Sequence, residues 1–482
     1  MRLRHLLALT VFAMPAVLAE GLPDLGDVSQ SDFTPVQERR LGESIMREIR
    51  ADRTYYDDAE ATDYISGLGN RLVSRGADSR QEFDFFLIRD PQINAFALPG
   101  GYIGVNTGLI LAAQSESEVA GVMAHEIAHV TQRHIARMLA QQKQSSILSI
   151  AALAVAILAS RASSDAAMAA TAFGQAGLVQ SQLNFTRDNE READRVGFQI
   201  LDRAGYDPHA MATFFERLQR ATRLYESGAP SYLRTHPLNY ERIADIQSRA
   251  QSLPYRQVAD SLEFQLIRAK LKANFDPPRE ALLYFEESLK ERKFLSEAAS
   301  RYGLVVSLLR NKNLPRAKKE LQALRGLGRP SPLIETLTCQ VLVSAGENDA
   351  AQNCYRQALK TYPGYRALVY DYAEALLRQR QGDAALKLVE ERLQYVKEDY
   401  RLYLLQARSN ALLNRRLAQH RAQGEAYARV GNIPAAVEQL EIALKSGDGD
   451  FYQLSATEAR LRELRRQNDE LRKEMGKPPE KR

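Results

Sequence analysis

Five residues carry the first chemical expectation. His125-Glu126-Ile127-Ala128-His129 sets two imidazoles four residues apart, with a carboxylate beside the first. On an α-helix, residues i and i+4 stand about 40° apart, so both rings can reach one point in space while Glu126 flanks it. Neutral imidazoles are zinc ligands, and a catalytic zinc keeps one of its roughly four positions for water. A metal-bound water loses its proton near neutral pH, and a carboxylate that is near without ligating can take it. The spacing therefore predicts metal-assisted hydrolysis, with His125 and His129 as ligands and Glu126 as the proton acceptor. The apolar run Val119-Ala120-Gly121-Val122-Met123-Ala124 before the motif suits a helix that enters a core.

A third ligand must come from elsewhere. His134 is nine residues after His125, about 180° round a continuous helix, so it is expected to be structural or at the surface. It also lacks the glycine turn of the longer motifs that recruit a third histidine in line. Asn189-Glu190-Arg191-Glu192-Ala193-Asp194 is the better source. Glu190 and Asp194 are i and i+4. One carboxylate of this pair can bind metal while the other, a turn away, accepts the free N–H of a ligand histidine and fixes its orientation. Glu192 points away by about 200° and reads as a solvent-facing charge.

Helical period runs through Ser31 to Ile49 and Asp58 to Arg75, and again from Leu109 to about Pro254. Phe83 to Ile88 reads as a strand. Asn94 to Val105 reads as a broken hairpin whose glycines bare the backbone for another chain to approach. Ile147 to Ala159 is uncharged for 13 residues. A membrane span needs about 20, so the segment is expected to be a core helix; the other reading lays it on a membrane surface or, with Ala166 to Gly177, over a cleft.

The second half repeats. Ala281-Phe285-Ser288, Ala317-Leu321-Leu324, Ala351-Tyr355-Ala358, Ala385-Val389 and Ala436-Leu440-Ala443 occupy one slot, with the alanines 36, 34, 34 and then 51 residues apart. That is the small–aromatic–small face of the second helix of a tetratricopeptide repeat. The long step leaves room for one extra helix, about Asp399 to Leu413. Such hairpins bury their apolar stripes only by stacking, and the concave surface they form holds other proteins. Cys339 and Cys354 lie on either side of Gly346, level with each other in a helix hairpin, so they are candidates for a disulfide in an oxidising compartment. From about Phe451 the chain reads as one amphipathic helix, followed by a disordered tail, GKPPEKR.

At 482 residues, 45% hydrophobic and 26% charged, the composition is that of an ordinary globular protein with several domains. The net charge of +5 is divided unevenly: residues 1–260 hold 26 Lys/Arg against 31 Asp/Glu, and residues 261–482 hold 39 against 29. No basic block interleaves with aromatics, so a nucleic-acid partner is not expected. Arg2, Arg4 and His5, then a 12-residue apolar run from Leu6 to Val17 broken only by Thr10, then Val17-Leu18-Ala19 before Glu20 make the three-part pattern of a cleaved secretory signal.

HEIAH, then NEREAD, then Thr235-His236-Pro237 with Arg242, preceded by NAFALPGGYIGV and GLI, resembles the M48 peptidases over about residues 31–255. With the secretory signal and the repeats added, the chain is similar to the periplasmic β-barrel assembly-enhancing proteases of Gram-negative bacteria. The resemblance implies one zinc per chain on His125, His129 and Glu190, with Glu126 as general base. It implies action on unfolded or misassembled outer-membrane β-barrel proteins and contact with their assembly machinery through the repeats. Many membrane-embedded relatives carry transmembrane helices that this chain is expected to lack, so their substrates do not carry over. Within that frame Asp194 orients a ligand histidine. His236 is either a transition-state donor or a fourth ligand that displaces the water, with plain structural packing as the bland reading. Substrate would add as a strand along Gly100, Gly101, Tyr102 and Ile103. The expected architecture is mostly α: a signal peptide (1–19), an α+β zincin-type peptidase with a small sheet (20–258), a tetratricopeptide-repeat solenoid (259–450), and a terminal helix with its tail (451–482). A periplasmic chaperone or adaptor, with the peptidase site mostly closed, is the competing function.

Overall fold

The computed structural model describes residues 34–76, 81–141, 187–224, 231–254 and 256–474. The expected secretory signal, the uncharged segment from Ile147, the small-residue stretch after it and the C-terminal tail lie outside those residues. No helix among the described residues is long and apolar enough to cross a membrane.

Two helices open the chain. In α1 (Pro35–Ala51), Thr34 and Gln37 cap each other's backbone N–H. In α2 (Ala59–Val73), the Asp58 carboxylate accepts from the N–H of Ala61. The sheet follows: β1 (Asp84–Ile88), β2 (Ala95–Leu98) and β3 (Tyr102–Asn106) in the order β1-β3-β2, with β3 parallel to β1 and antiparallel to β2. The turn Pro99–Gly101 joins β2 to β3 with Gly100 at φ 77° and Gly101 at φ 83°. A side chain there would be strained, and its Cβ would run into the backbone of Arg39 at Gly100 and of Glu82 at Gly101.

This topology corrects the expected substrate strand. Tyr102 and Ile103 lie on the central strand, paired with Asp84 and Phe85 on one side and with Leu98 and Ala97 on the other. Neither can accept another strand. The bare backbone of Gly100 and Gly101 makes room for α1 and for the chain entering β1. The strand order leaves β2 at an edge.

After the sheet come α3 (Thr107–Ala112), α4 (Glu116–Thr131), α5 (His134–Gln141), α6 (Arg187–Arg203), α7 (His209–Leu224), α8 (Ser231–Thr235) and α9 (Tyr240–Gln251). Every residue of α4 from Glu116 to Val130 is buried, so this helix is the axis of the domain core. Gly197 lets α6 press against it: a Cβ there would stand 3.0 Å from the Ala124 carbonyl and from the Cα of His125.

The repeat region contains α10 (Leu262–Phe275), α11 (Pro278–Lys290), α12 (Glu297–Arg310), α13 (Leu314–Gly326), α14 (Pro332–Ser344), α15 (Asn348–Thr361), α16 (Arg366–Arg378), α17 (Gly382–Leu393), α18 (Tyr400–Leu412), α19 (Arg416–Arg429), α20 (Ile433–Leu444) and α21 (Phe451–Glu474). Ala281, Ala317, Ala351, Ala385 and Ala436 all stand at 0% exposure, on α11, α13, α15, α17 and α20. The 51-residue step holds α18 as the additional helix. Cys339 of α14 and Cys354 of α15 are joined by a disulfide, with their Cα atoms 5.5 Å apart.

The change of architecture near residue 259 is not a break in packing. Phe264, Leu266, Ile267 and Leu271 of α10 share one apolar cluster with Leu68, Phe85 and Val119 of the first region. The start of α2 adds charge to this contact. Lys270 Nζ is 2.7 Å from both Asp58 and Glu60, Arg401 is 2.9 Å from Asp57, and Arg366 pairs with Asp63. Burial pushes the Glu60 carboxyl up to about 6 and works on Asp58 in the same direction, but Lys270 holds Asp58 below its usual range.

Lys270→Met leaves two carboxylates unpaired in this seam, and should destabilise the full chain by about 3–5 kcal/mol at pH 7. Asp58 has a depressed folded pKa, so its contribution is present above its ordinary value of 3.8 and lost as pH falls below it. The gap between wild type and variant should therefore close toward acid in denaturant titrations; a gap that is absent at pH 7, or that widens toward acid, would count against the seam as described.

Candidate metal centre

Four buried donors converge between α4, α6 and the turn that follows α8. His125, His129, Glu190 and His236 each present one ligating atom, all within 4.8 Å of one another. His125 Nε2 is 3.0 Å from His129 Nε2, 3.4 Å from His236 Nδ1 and 3.5 Å from Glu190 Oε2. Glu190 Oε1 is 3.4 Å from His129 Nε2 and 3.0 Å from His236 Nδ1. A tetrahedron with bonds of about 2.0–2.1 Å has edges of about 3.3 Å, so these separations and this mix of three nitrogens and one oxygen fit zinc. The exposures are 0% for both α4 histidines, 2% for Glu190 and 1% for His236.

Glu126 is fully buried, with its carboxylate 3.4 Å from His236 Nε2. Burial raises its pKa, against the pull of His236, His125 and the backbone N–H of Ala97 on β2. A base beside a hydrolytic centre gains from such a shift, because its proton affinity then approaches the working pH. Burial also works to raise Glu190, but the surrounding imidazoles, His236 first, hold it well below the carboxylate range. Glu190 therefore stays an anion, the form that binds metal.

Asp194 lies one turn beyond Glu190, and its Oδ1 stands 3.0 Å from His125 Nδ1, on the side of the ring opposite the metal-facing nitrogen. Arg242 holds it in a fork, Nε to Oδ2 at 2.6 Å and Nη2 to Oδ1 at 2.7 Å. The same guanidinium reaches Glu190 Oε2 at 2.7 Å and donates to the carbonyl of Pro237 at 2.8 Å. It thereby ties the acidic face of α6 to the turn that carries His236. Tyr232, one turn before His236 on α8, stacks on that imidazole with centroids 4.7 Å apart.

The structure thus brings together His125, Glu126, His129, Glu190, Asp194 and His236. Gly100, Gly101, Tyr102 and Ile103 lie in the turn and on the central strand. The readings of His134 and Glu192 change. The helix does not continue from His129 to His134: α4 ends at Thr131 and Arg133 takes φ 51°, so the rotation begins afresh. His134 is fully buried, with Nδ1 2.9 Å from His129 Nδ1 and Nε2 3.0 Å from Glu192 Oε2. No Gly or Pro marks that reversal in Thr131-Gln132-Arg133, so nothing local announces it. The positions of Arg242 and Tyr232 depend on the α8–α9 connection and have no spacing signal of their own.

Residues 60–250 match the model of peptidase family M48, and residues 342–409 match that of the tetratricopeptide repeat. A Vibrio cholerae relative is 36% identical over 442 residues, 90% of this chain and 91% of its own length. The β-barrel assembly-enhancing protease of Escherichia coli K12 is 33% identical over 93% of this chain and 92% of its own. The chain belongs to the M48 family of β-barrel assembly-enhancing proteases. The mitochondrial metalloendopeptidase OMA1 of Schizosaccharomyces pombe is 31% identical over 46% of this chain, a length close to that of the peptidase region alone. M48 peptidases are zinc metalloendopeptidases, and the buried cluster gives this member the donors for that ion.

Glu190→Ala should remove most of the zinc from the purified full chain, whereas substitution of Asp194 by Asn should lower affinity by about 10–100-fold without abolishing binding. Metal analysis after dialysis reads both; full zinc occupancy in Glu190→Ala would require a different ligand set.

Proposed function

We propose that this chain is a periplasmic zinc endopeptidase that degrades misassembled outer-membrane β-barrel proteins and so supports their assembly. The ligands are His125, His129 and Glu190, and Glu126 is the general base. The observation that carries the catalytic part is a buried carboxylate, Glu126, beside a four-donor cluster in which His236 stands 3.4 Å from it. The relative's name supports the substrate class, and the N-terminal signal pattern supports the compartment.

Bound zinc supplies Lewis acidity, which lowers the pKa of a water and polarises a carbonyl. The rest falls to side chains. Glu126 accepts the proton of the attacking water and returns it to the leaving amine. Asp194 keeps His125 in the tautomer that leaves Nε2 free to ligate. Edge strand β2 offers backbone pairing to an extended substrate. It packs against α4, the helix that carries Glu126, so a segment paired there runs beside the base. Backbone pairing tolerates varied side chains, as clearance of misassembled chains requires. The repeat helices recruit the assembly machinery. A polar cavity between α17, α18, α19 and α21, lined by Tyr403, Arg421, Glu425, Arg429 and Arg460, supports that role.

One observation favours a second reading, a chaperone or adaptor with a closed site. His236 Nδ1 stands among the other donors, where a substrate-activating water would sit. We take this as a latch that substrate displaces.

Glu126→Gln should lower cleavage of an unfolded β-barrel substrate by about 10²–10⁴-fold. If the assembly function in cells survives that change intact, the chaperone reading wins. His236→Ala separates latch from donor by sign: release of a latch raises cleavage of unrelated unfolded chains, whereas loss of a transition-state donor lowers turnover by about 10²–10³-fold. Turnover unchanged in either direction would end both roles.

A further inference from the structure

We propose that His134 and Glu192 form a positioning relay for His129 and so set the zinc affinity of the centre. The proposal rests on the reading of His129 as a ligand.

The argument is one of proton placement. His129 Nε2 faces the centre, 3.0 Å from His125 Nε2 and 3.4 Å from Glu190 Oε1. An imidazole that gives the Nε2 lone pair to a cation keeps its proton on Nδ1. That N–H needs an acceptor, and the atom 2.9 Å away is His134 Nδ1. His134 can accept there only as the neutral tautomer with its proton on Nε2. Its Nε2 lies 3.0 Å from Glu192 Oε2, and a carboxylate can only accept. Arg137 Nη2 donates to the same oxygen at 2.9 Å and holds the carboxylate in place. One anion therefore dictates the tautomers of two imidazoles in series, from Glu192 through His134 to His129.

The arrangement matches that of the other α4 histidine. His125 Nδ1 meets Asp194 directly, at 3.0 Å. Both imidazoles thus end on a carboxylate of α6, and only the path differs. Glu192 points about 200° away from Glu190 and cannot reach the centre itself. The reversal at Arg133 swings His134 into the gap, and its ring spans the missing distance. Three acids in one stretch of α6 then have three tasks: Glu190 toward the metal, Asp194 behind His125, and Glu192 behind His129.

The competing explanation is a staple that merely joins α5 to α6. A staple stabilises the metal-free fold and leaves the zinc affinity of folded protein alone; a relay changes that affinity. The test titrates the metal-free full chain with zinc alone, in competition with a chromogenic chelator, and follows thermal melting of the same metal-free samples. His134→Phe, which keeps a ring but accepts nothing, should raise the zinc Kd about 10–100-fold. His134→Gln, whose amide oxygen can accept from His129 Nδ1–H, should recover most of the loss. Glu192→Ala should raise Kd about tenfold. The double variant should bind no more weakly than His134→Phe, because a series connection broken once is broken. Wild-type Kd in both single variants overturns the relay, and so do additive losses in the double variant. If His134→Phe does not fold, Glu192→Ala decides alone, since that side chain is 40% exposed and removable. His129→Ala is run beside them: wild-type zinc binding there would sink the ligand reading instead.

Discussion

Six ionisable groups meet in the core of the peptidase region, and their charges must balance there. Glu126, Glu190 and Asp194 are at 2% exposure or less, beside His125, His129 and His236. Buried anions of this density are tolerable only with a fixed counter-charge, because an unpaired buried carboxylate costs several kcal/mol. Arg242 supplies it. Its single guanidinium binds both oxygens of Asp194, reaches Glu190 and donates to the Pro237 carbonyl. The contacts that neutralise α6 therefore also place the turn that carries His236. Electrostatic balance and site geometry are one interaction.

The helices serve this constraint. α4 is buried along nearly its whole length, which puts its two histidines and Glu126 out of water. Gly197 removes the side chain that would hold α6 away, so Glu190 and Asp194 come within reach of His125. β2 completes the wall on the other side, packed against α4. An exclusion of water that strong raises the basicity of Glu126.

The repeats do not hang from this core as a separate body. α10 contributes Phe264, Leu266 and Ile267 to the apolar cluster that also holds Val119 of α4. Lys270, Arg366 and Arg401 close over the acidic start of α2. Helices of the solenoid are thus in direct contact with the peptidase core, through a seam with buried charge.

Much of the site was legible in order along the chain. The His125–Glu126–His129 spacing could be read because helical hydrogen bonding is local and fixes where i and i+4 point. The pairing of Glu190 with Asp194 followed from the same rule, and the repeat alanines from a period that stacking imposes. Cys339 and Cys354 were readable as neighbours because a hairpin is also local. Rules of this kind fail where the chain leaves an element without a signal. A continuous helix would put His134 on the far face, but the helix ends at Thr131 with neither Gly nor Pro to mark it, so its contact with Glu192 has no sign in the sequence. Tyr102 and Ile103 read as an open edge because periodicity identifies strands but not their order in a sheet; the parallel pairing with β1 makes β3 central. Arg242 carried no local sign of its work, since a guanidinium on a helix is ordinary until the fold brings two buried carboxylates to it. Local hydrogen bonding determines spacing and facing, and the sequence alone shows both. Which faces meet, and which charges must then be paired, depends on contacts between distant segments, and only the tertiary structure decides those.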